Sequence, residues 1–116
     1  LLNTNTLTEV AEILGNGYKC YADKNTGKVY AADQITLEER DAGDFTEYSP
    51  LEGPDMFKIM ENYCTKVEDF GKQSELMEAM MYDQPFQSFK RKVYAIGLAD
   101  EWIAFRIQRI IVLLSE

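Results

Sequence analysis

The sequence predicts an α+β fold: an N-terminal helix, a small antiparallel sheet, then a bundle of about four helices. Three observations predict it. Leu7, Val10, Ala11 and Leu14 recur at helical spacing near the start. Two aromatic and β-branched runs, 18–22 and 28–32, flank a short polar loop. From Gly53-Pro54 onward the apolar period becomes helical and stays so to the end. Strands cluster before helices rather than alternating with them, which is the α+β pattern. At 116 residues the chain is one expected domain, 1–116, with the helix and sheet in 1–52 and the helical part in 53–116.

The first helix is expected over 7–14. Thr6-Leu-Thr-Glu9 reads as a capping box, with the Thr6 hydroxyl accepting from the Glu9 amide. Gly15-Asn-Gly17 stops the helix. The loop Asp23-Lys-Asn-Thr-Gly27 resembles the start of a calcium loop, but the count fails. Glycine comes fifth rather than sixth, and Gln34 stands where a bidentate acid is needed. A hairpin turn suits every residue, with Asp23 bonding nearby amides and Gly27 closing at positive φ.

Residues 33–55 carry eight acids and one base, Arg40. They read as a solvated loop holding one short strand, Phe45-Thr-Glu-Tyr48; Leu37–Arg40 reads alternatively as a helical turn. The functional reading of this acidity is a surface for a basic partner. Pro54 suits a first helical turn, and Met56, Met60, Tyr63, Val67 and Phe70 step along one face to a stop at Gly71. Ser74 is the expected cap of the next helix, which carries Leu76, Met77, Met80 and Met81; the methionines, with Met56 and Met60, read as core filling, or alternatively as an adaptable binding surface. Pro85 opens a third, facing inward through Phe86, Phe89, Val93 and Ile96, and Gly97 stops it. The last helix opens near Asp100 and carries Trp102, Phe105, Ile107, Ile110, Ile111 and Leu114. Its final turns are apolar nearly all round. It is expected to be central, or to form a homodimer contact.

Composition excludes several chemistries. There is no histidine, so Ser-His-Asp and Cys-His catalysis and imidazole metal sites are absent. No phosphate loop, dinucleotide fingerprint or nucleophile elbow occurs. Adjacent acid pairs such as Glu38/Glu39 and Asp100/Glu101 do not converge on one helix face. Two cysteines, 44 residues apart, fit neither a zinc site nor a dense disulfide framework, and Cys64 reads as a buried thiol. The longest apolar run, Ile110–Leu114, is too short to span a bilayer, and no basic-then-apolar leader opens the chain. Net charge is −8, the opposite of a duplex-binding protein. No cofactor, metal or membrane contact is expected, and nucleic acid is disfavoured as a partner.

One basic cluster stands out: Phe89-Lys-Arg-Lys92 with Arg106 and Arg109, interleaved with Phe86, Tyr94, Trp102 and Phe105. Its residues have two readings: a core face with solvated bases behind it, or a binding surface. The binding reading places partner contacts on Phe86, Phe89, Lys90, Trp102, Phe105 and Arg106, since Trp, Phe and Arg are favoured interface anchors.

The same residues carry a resemblance. Gln84-Pro-Phe-Gln-Ser-Phe-Lys90, Gly97-Leu and Glu101-Trp-Ile-Ala-Phe-Arg106 resemble the F-x-x-F-K, G-L and W-x-x-F-R segments of Uncharacterised Protein Family 0158. The D-x-x-T-G-x-V hairpin at Asp23, Thr26, Gly27 and Val29 and the tract Lys58–Tyr63 extend it over nearly the whole chain. The family's usual later W-L is missing, the tail here being Val112-Leu-Leu-Ser-Glu116. The resemblance implies a small bacterial protein of this architecture in a cytoplasmic setting, and no catalytic residues. The functional expectation is a non-enzymatic protein-interaction or regulatory domain with a protein partner. The alternatives are an RNA- or nucleotide-binding module on the basic patch of the last two helices, and a metal-dependent carboxylate enzyme using residues 33–55.

Overall fold

A computed structural model describes residues 3–116. Its elements are α1 (Thr4–Gly15), β1 (Cys20–Asp23), β2 (Val29–Ala31), a 3-10 turn (Ala32–Gln34), α2 (Leu37–Ala42), β3 (Phe45–Tyr48), α3 (Gly53–Lys66), α4 (Phe70–Ala79), α5 (Pro85–Ala95) and α6 (Ala99–Leu114). The fold is α+β, as the sequence predicts. The chain divides into two compact units. One is the chain up to Leu51 with Ile107–Glu116; the other is Glu52–Arg106.

In the sheet-bearing unit, α1 buries Thr6, Val10, Ala11 and Leu14. Its start differs from the expected capping box. Asn3 is the cap, its Oδ1 accepting from the Thr6 amide at 2.8 Å. Thr6 lies inside the helix, and its hydroxyl donates to the Gly27 carbonyl at 2.9 Å. An asparagine caps as well as a threonine, and the Thr6 hydroxyl has a tertiary acceptor, so the helix begins three residues early. It ends in a Schellman motif: Gly17 takes φ 91°, and the Tyr18 amide bonds the Ile13 carbonyl.

The three strands pair antiparallel in the order β2-β1-β3. Cys20 stands opposite Ala31 and Tyr48, and Tyr21 opposite Tyr30 and Glu47. The central strand buries Cys20, Tyr21 and Ala22 in succession. The hairpin loop is a turn, as expected. Asp23 Oδ1 accepts from the amides of Asn25 and Thr26 at 2.8 and 3.2 Å, and Gly27 sits at φ 77°.

The acidic stretch is not only loop and strand. Thr36 and Glu39 form a reciprocal capping box, each side chain bonding the other's amide at 3.1 Å, and start α2. Arg40, its one base, lies 4.7 Å from the centre of the Tyr21 ring and donates to the Tyr21 hydroxyl. That hydroxyl donates in turn to Glu47 at 3.0 Å. This chain of polar contacts ties α2 to β1 and β3. Of the C-terminal turns of α6, Ile110 is buried, Ile107, Ile111 and Leu114 are half-buried, and Val112 is exposed.

In the helical unit, α3 buries Ile59, Met60, Tyr63 and Cys64. It ends at Lys66 rather than running to Gly71. Val67 turns extended, and Asp69 caps α4 by accepting from the Lys72 amide at 3.0 Å. A carboxylate competes well as a cap, so Ser74 is left in the helix interior and Phe70 faces solvent. The Gln73 side chain donates to the Cys64 carbonyl at 2.7 Å, joining the Val67 amide on that acceptor at the end of α3. Gly97, at φ 77°, ends α5 in a second Schellman motif, with the Leu98 amide on the Val93 carbonyl.

Candidate functional site

Three of the six predicted contact residues, Phe89, Trp102 and Phe105, join Tyr63 in one aromatic cluster built by α3, α5 and α6. Tyr63 lies 5.4 Å from both Trp102 and Phe105 and 6.5 Å from Phe89, ring centre to ring centre. Phe89 and Trp102 are 4.9 Å apart, edge to face. Such pairs hold position better than burial alone requires. Phe89 is 1% exposed and Trp102 5%. These two are therefore core, and the expectation that they touch a partner does not hold for this structure. The reason is the spacing itself: Phe89 and Val93 share the inward face of α5, and Trp102 meets them from α6.

The other four sit differently. Phe105 and Arg106 are half-buried, and the Arg106 guanidinium lies 6.0 Å from the Trp102 ring centre. Phe86 is 42% exposed and meets Phe57 edge-on at 6.5 Å. Lys90 is exposed. The six residues do not form one surface.

What is exposed lies elsewhere in the same unit. Phe70, Met77 and Met81 are 78, 54 and 84% exposed, joined by Tyr82 and Tyr94. Phe70 and Met77 are seven apart and share one side of α4, and Met81 follows in the turn beyond. Leu76, Ala79 and Met80 take the opposite, buried side. The expectation that Met77 and Met81 fill core therefore does not hold. Apolar residues occupy both sides of α4, and periodicity cannot choose which side is covered. On α5, Gln87, Lys90, Arg91 and Tyr94, with Ala95, line a shallow open groove.

Burial favours the neutral form of Cys20, Cys64 and Tyr63. Burial pushes the Cys20 thiol from 9.0 up to about 11. Cys64 also rises to about 11, through burial and then the nearby Glu61 charge. Tyr63 rises from 10.0 to about 12, through burial first and then the neighbouring Glu101 carboxylate. Both cysteines are free, and the Cys64 sulfur sits 3.8 Å from the Met80 sulfur. None of these groups is a ready nucleophile near neutral pH. Among the described residues, no three Cys, Asp or Glu side chains converge as a metal site requires. Nor, among them, is any helix long and apolar enough to cross a membrane. Comparison with protein-family models, curated proteins and solved structures finds no match to this chain.

Proposed function

We propose that this chain is a non-enzymatic protein-interaction or regulatory domain. One observation carries the reading: of nine large apolar side chains exposed among the described residues, six fall within residues 70–94. Isolated exposed apolar residues are ordinary, but several on neighbouring helical turns mark contact surfaces. Methionine and aromatic residues are enriched at such surfaces, methionine because it adapts to its partner.

The contact residues therefore shift from the buried Phe89 and Trp102 to Phe70, Met77, Met81 and Tyr82, with Phe86 and Lys90 kept from the first reading. Kinship with Uncharacterised Protein Family 0158 is proposed on the motif residues alone. Since Phe89 and Trp102 pack the core, that motif speaks for architecture rather than for a site.

The test is affinity capture from lysate with tagged wild-type protein and with a Met77→Asp/Met81→Asp variant, each with and without nuclease. The reading predicts a protein recovered by the wild type in both arms and lost by the variant, whose thermal melt is unchanged. Identical eluates from both proteins would count against it. The alternative, RNA or nucleotide bound by the basic residues of the last two helices, predicts recovery that collapses with nuclease and falls steeply with salt.

A further inference from the structure

Residues 84–99 contain no aspartate or glutamate, in a chain that has 20. This acid-free stretch includes all of α5. Within it, Gln87, Lys90, Arg91 and Tyr94 recur at three, four and seven, and so share one face. Phe89 and Val93 occupy the opposite, buried face. Gln87, Lys90, Arg91 and Tyr94 are all exposed, and together with Ala95 they line the shallow groove.

The cations on this helix are not equivalent. Lys92 is held by Glu75 of α4 at 3.7 Å. Lys90 and Arg91 have no acidic partner among the described residues; Arg91 reaches only the Gln87 side-chain oxygen, at 3.4 Å. An excess of acids elsewhere in the chain thus leaves two adjacent positive charges unanswered, beside an exposed aromatic ring.

We propose that this face of α5 binds an acidic segment of another protein, one that carries apolar residues among its carboxylates. The proposal rests on the interaction reading and names the partner's chemistry. Carboxylates pair with Lys90 and with the Arg91 fork. Apolar side chains lie on the Tyr94 ring, Ala95 and the aliphatic stems of the two bases. A nucleic acid fits less well. Two unpaired cations neutralise little of a polyphosphate, whose remaining charge meets a chain of net charge −8, whereas a short segment with apolar residues need present only the few carboxylates that these cations answer. A second copy of this chain brings the same repulsion.

Fluorescence anisotropy tests this with the full chain and a short labelled peptide of Glu, Asp, Leu and Phe at helical spacing. The controls are the same peptide with lysine for every acid, and a labelled oligouridylate. The acidic peptide should bind saturably and weaken with salt, and the lysine peptide should not bind. Lys90→Glu/Arg91→Glu should weaken binding by about tenfold or more, as expected for paired charges at an interface. A control pair, Lys58→Glu/Lys66→Glu on α3, makes the same change in net charge and should leave binding near wild type.

Equal binding of both peptides, equal loss with the control pair, tighter binding of oligouridylate, or no saturable binding would each overturn the proposal. So would a wild-type dimer in sedimentation that the Lys90/Arg91 variant loses, since the occupant would then be a second copy. Failure here is separable from failure of the interaction reading. A captured protein that needs Met77 and Met81 but ignores Lys90 and Arg91 keeps that reading and removes this one.

Discussion

The two compact units treat their large apolar side chains differently. The sheet-bearing unit exposes only Tyr18, Leu37 and Val112 among its described residues, and polar contacts fasten its pieces: Thr6 to Gly27, and Arg40 to Tyr21 to Glu47. The helical unit has an aromatic core around Tyr63, yet leaves six large apolar side chains outside. The difference teaches where to look for function. On the proposed reading, the unit closed by polar ties serves as scaffold, and the unit that stays apolar outside supplies the contact surface.

Substitutions break or sharpen that contrast, and the largest effect should come from inside the helical unit. Trp102→Ala removes the ring that packs on Tyr63 and Phe89. It should cost about 3–5 kcal/mol, read as a lowered midpoint in chemical denaturation. A nearly unchanged midpoint would mean Trp102 is surface in solution, and the core assignment would fail.

Alkaline pH probes both interiors at once. Cys20, Cys64 and Tyr63 ionise later in the folded chain than in the unfolded one. Their contribution to stability is therefore complete below about pH 9 and is lost as pH rises through about 11 to 12. Thermal melts should fall across that window, and Cys64→Ala should flatten part of the fall. A flat profile from pH 8 to about 11 would contradict burial of these groups.

In the sheet-bearing unit, Gly27→Ala puts a side chain at φ 77°, with its Cβ 2.9 Å from the Thr6 hydroxyl. A cost of about 1–3 kcal/mol is expected from the backbone alone. Thr36→Ala removes one arm of the α2 capping box. It should cost about 1 kcal/mol, seen as faster hydrogen exchange over residues 37–42. Smallest of all, Met81→Ser should shift stability by less than about 0.5 kcal/mol, since that side chain is 84% exposed. A clear destabilisation there would place Met81 in a packed interface and remove it from the free surface.

The capping motifs show how far local reading reaches. Thr6-Leu-Thr-Glu9 and Thr36-Leu-Glu-Glu39 carry the same signature. Only the second forms a box. At the first, Asn3 caps earlier and Gly27 takes the Thr6 hydroxyl from 21 residues away. The second motif was legible but was masked by the acidity around it. The break between α3 and α4 was missed for a similar reason. Gly71 looks like a stop, but Asp69 is the better cap and places that glycine in a first turn. Of the surface, Lys90 was legible as exposed, while Phe86, expected on the inward face of α5, is 42% exposed. Met77 and Met81 were not legible as exposed, because α4 is apolar on two sides.

The sequence by itself determined the element types and their order outside the acidic stretch 33–55, the hairpin turn at Asp23–Gly27 and the stop at Gly97. These depend on local periodicity, on glycine's access to positive φ and on side-chain bonds to nearby amides. Tertiary structure alone decided that Phe89 and Trp102 lie inside while Phe70, Met77 and Met81 lie outside. It also gave Arg40 to Tyr21 and Lys92 to Glu75, leaving Lys90 and Arg91 unanswered. Which of two apolar faces is buried, and which charge finds a partner, depends on residues distant in the chain that packing brings near.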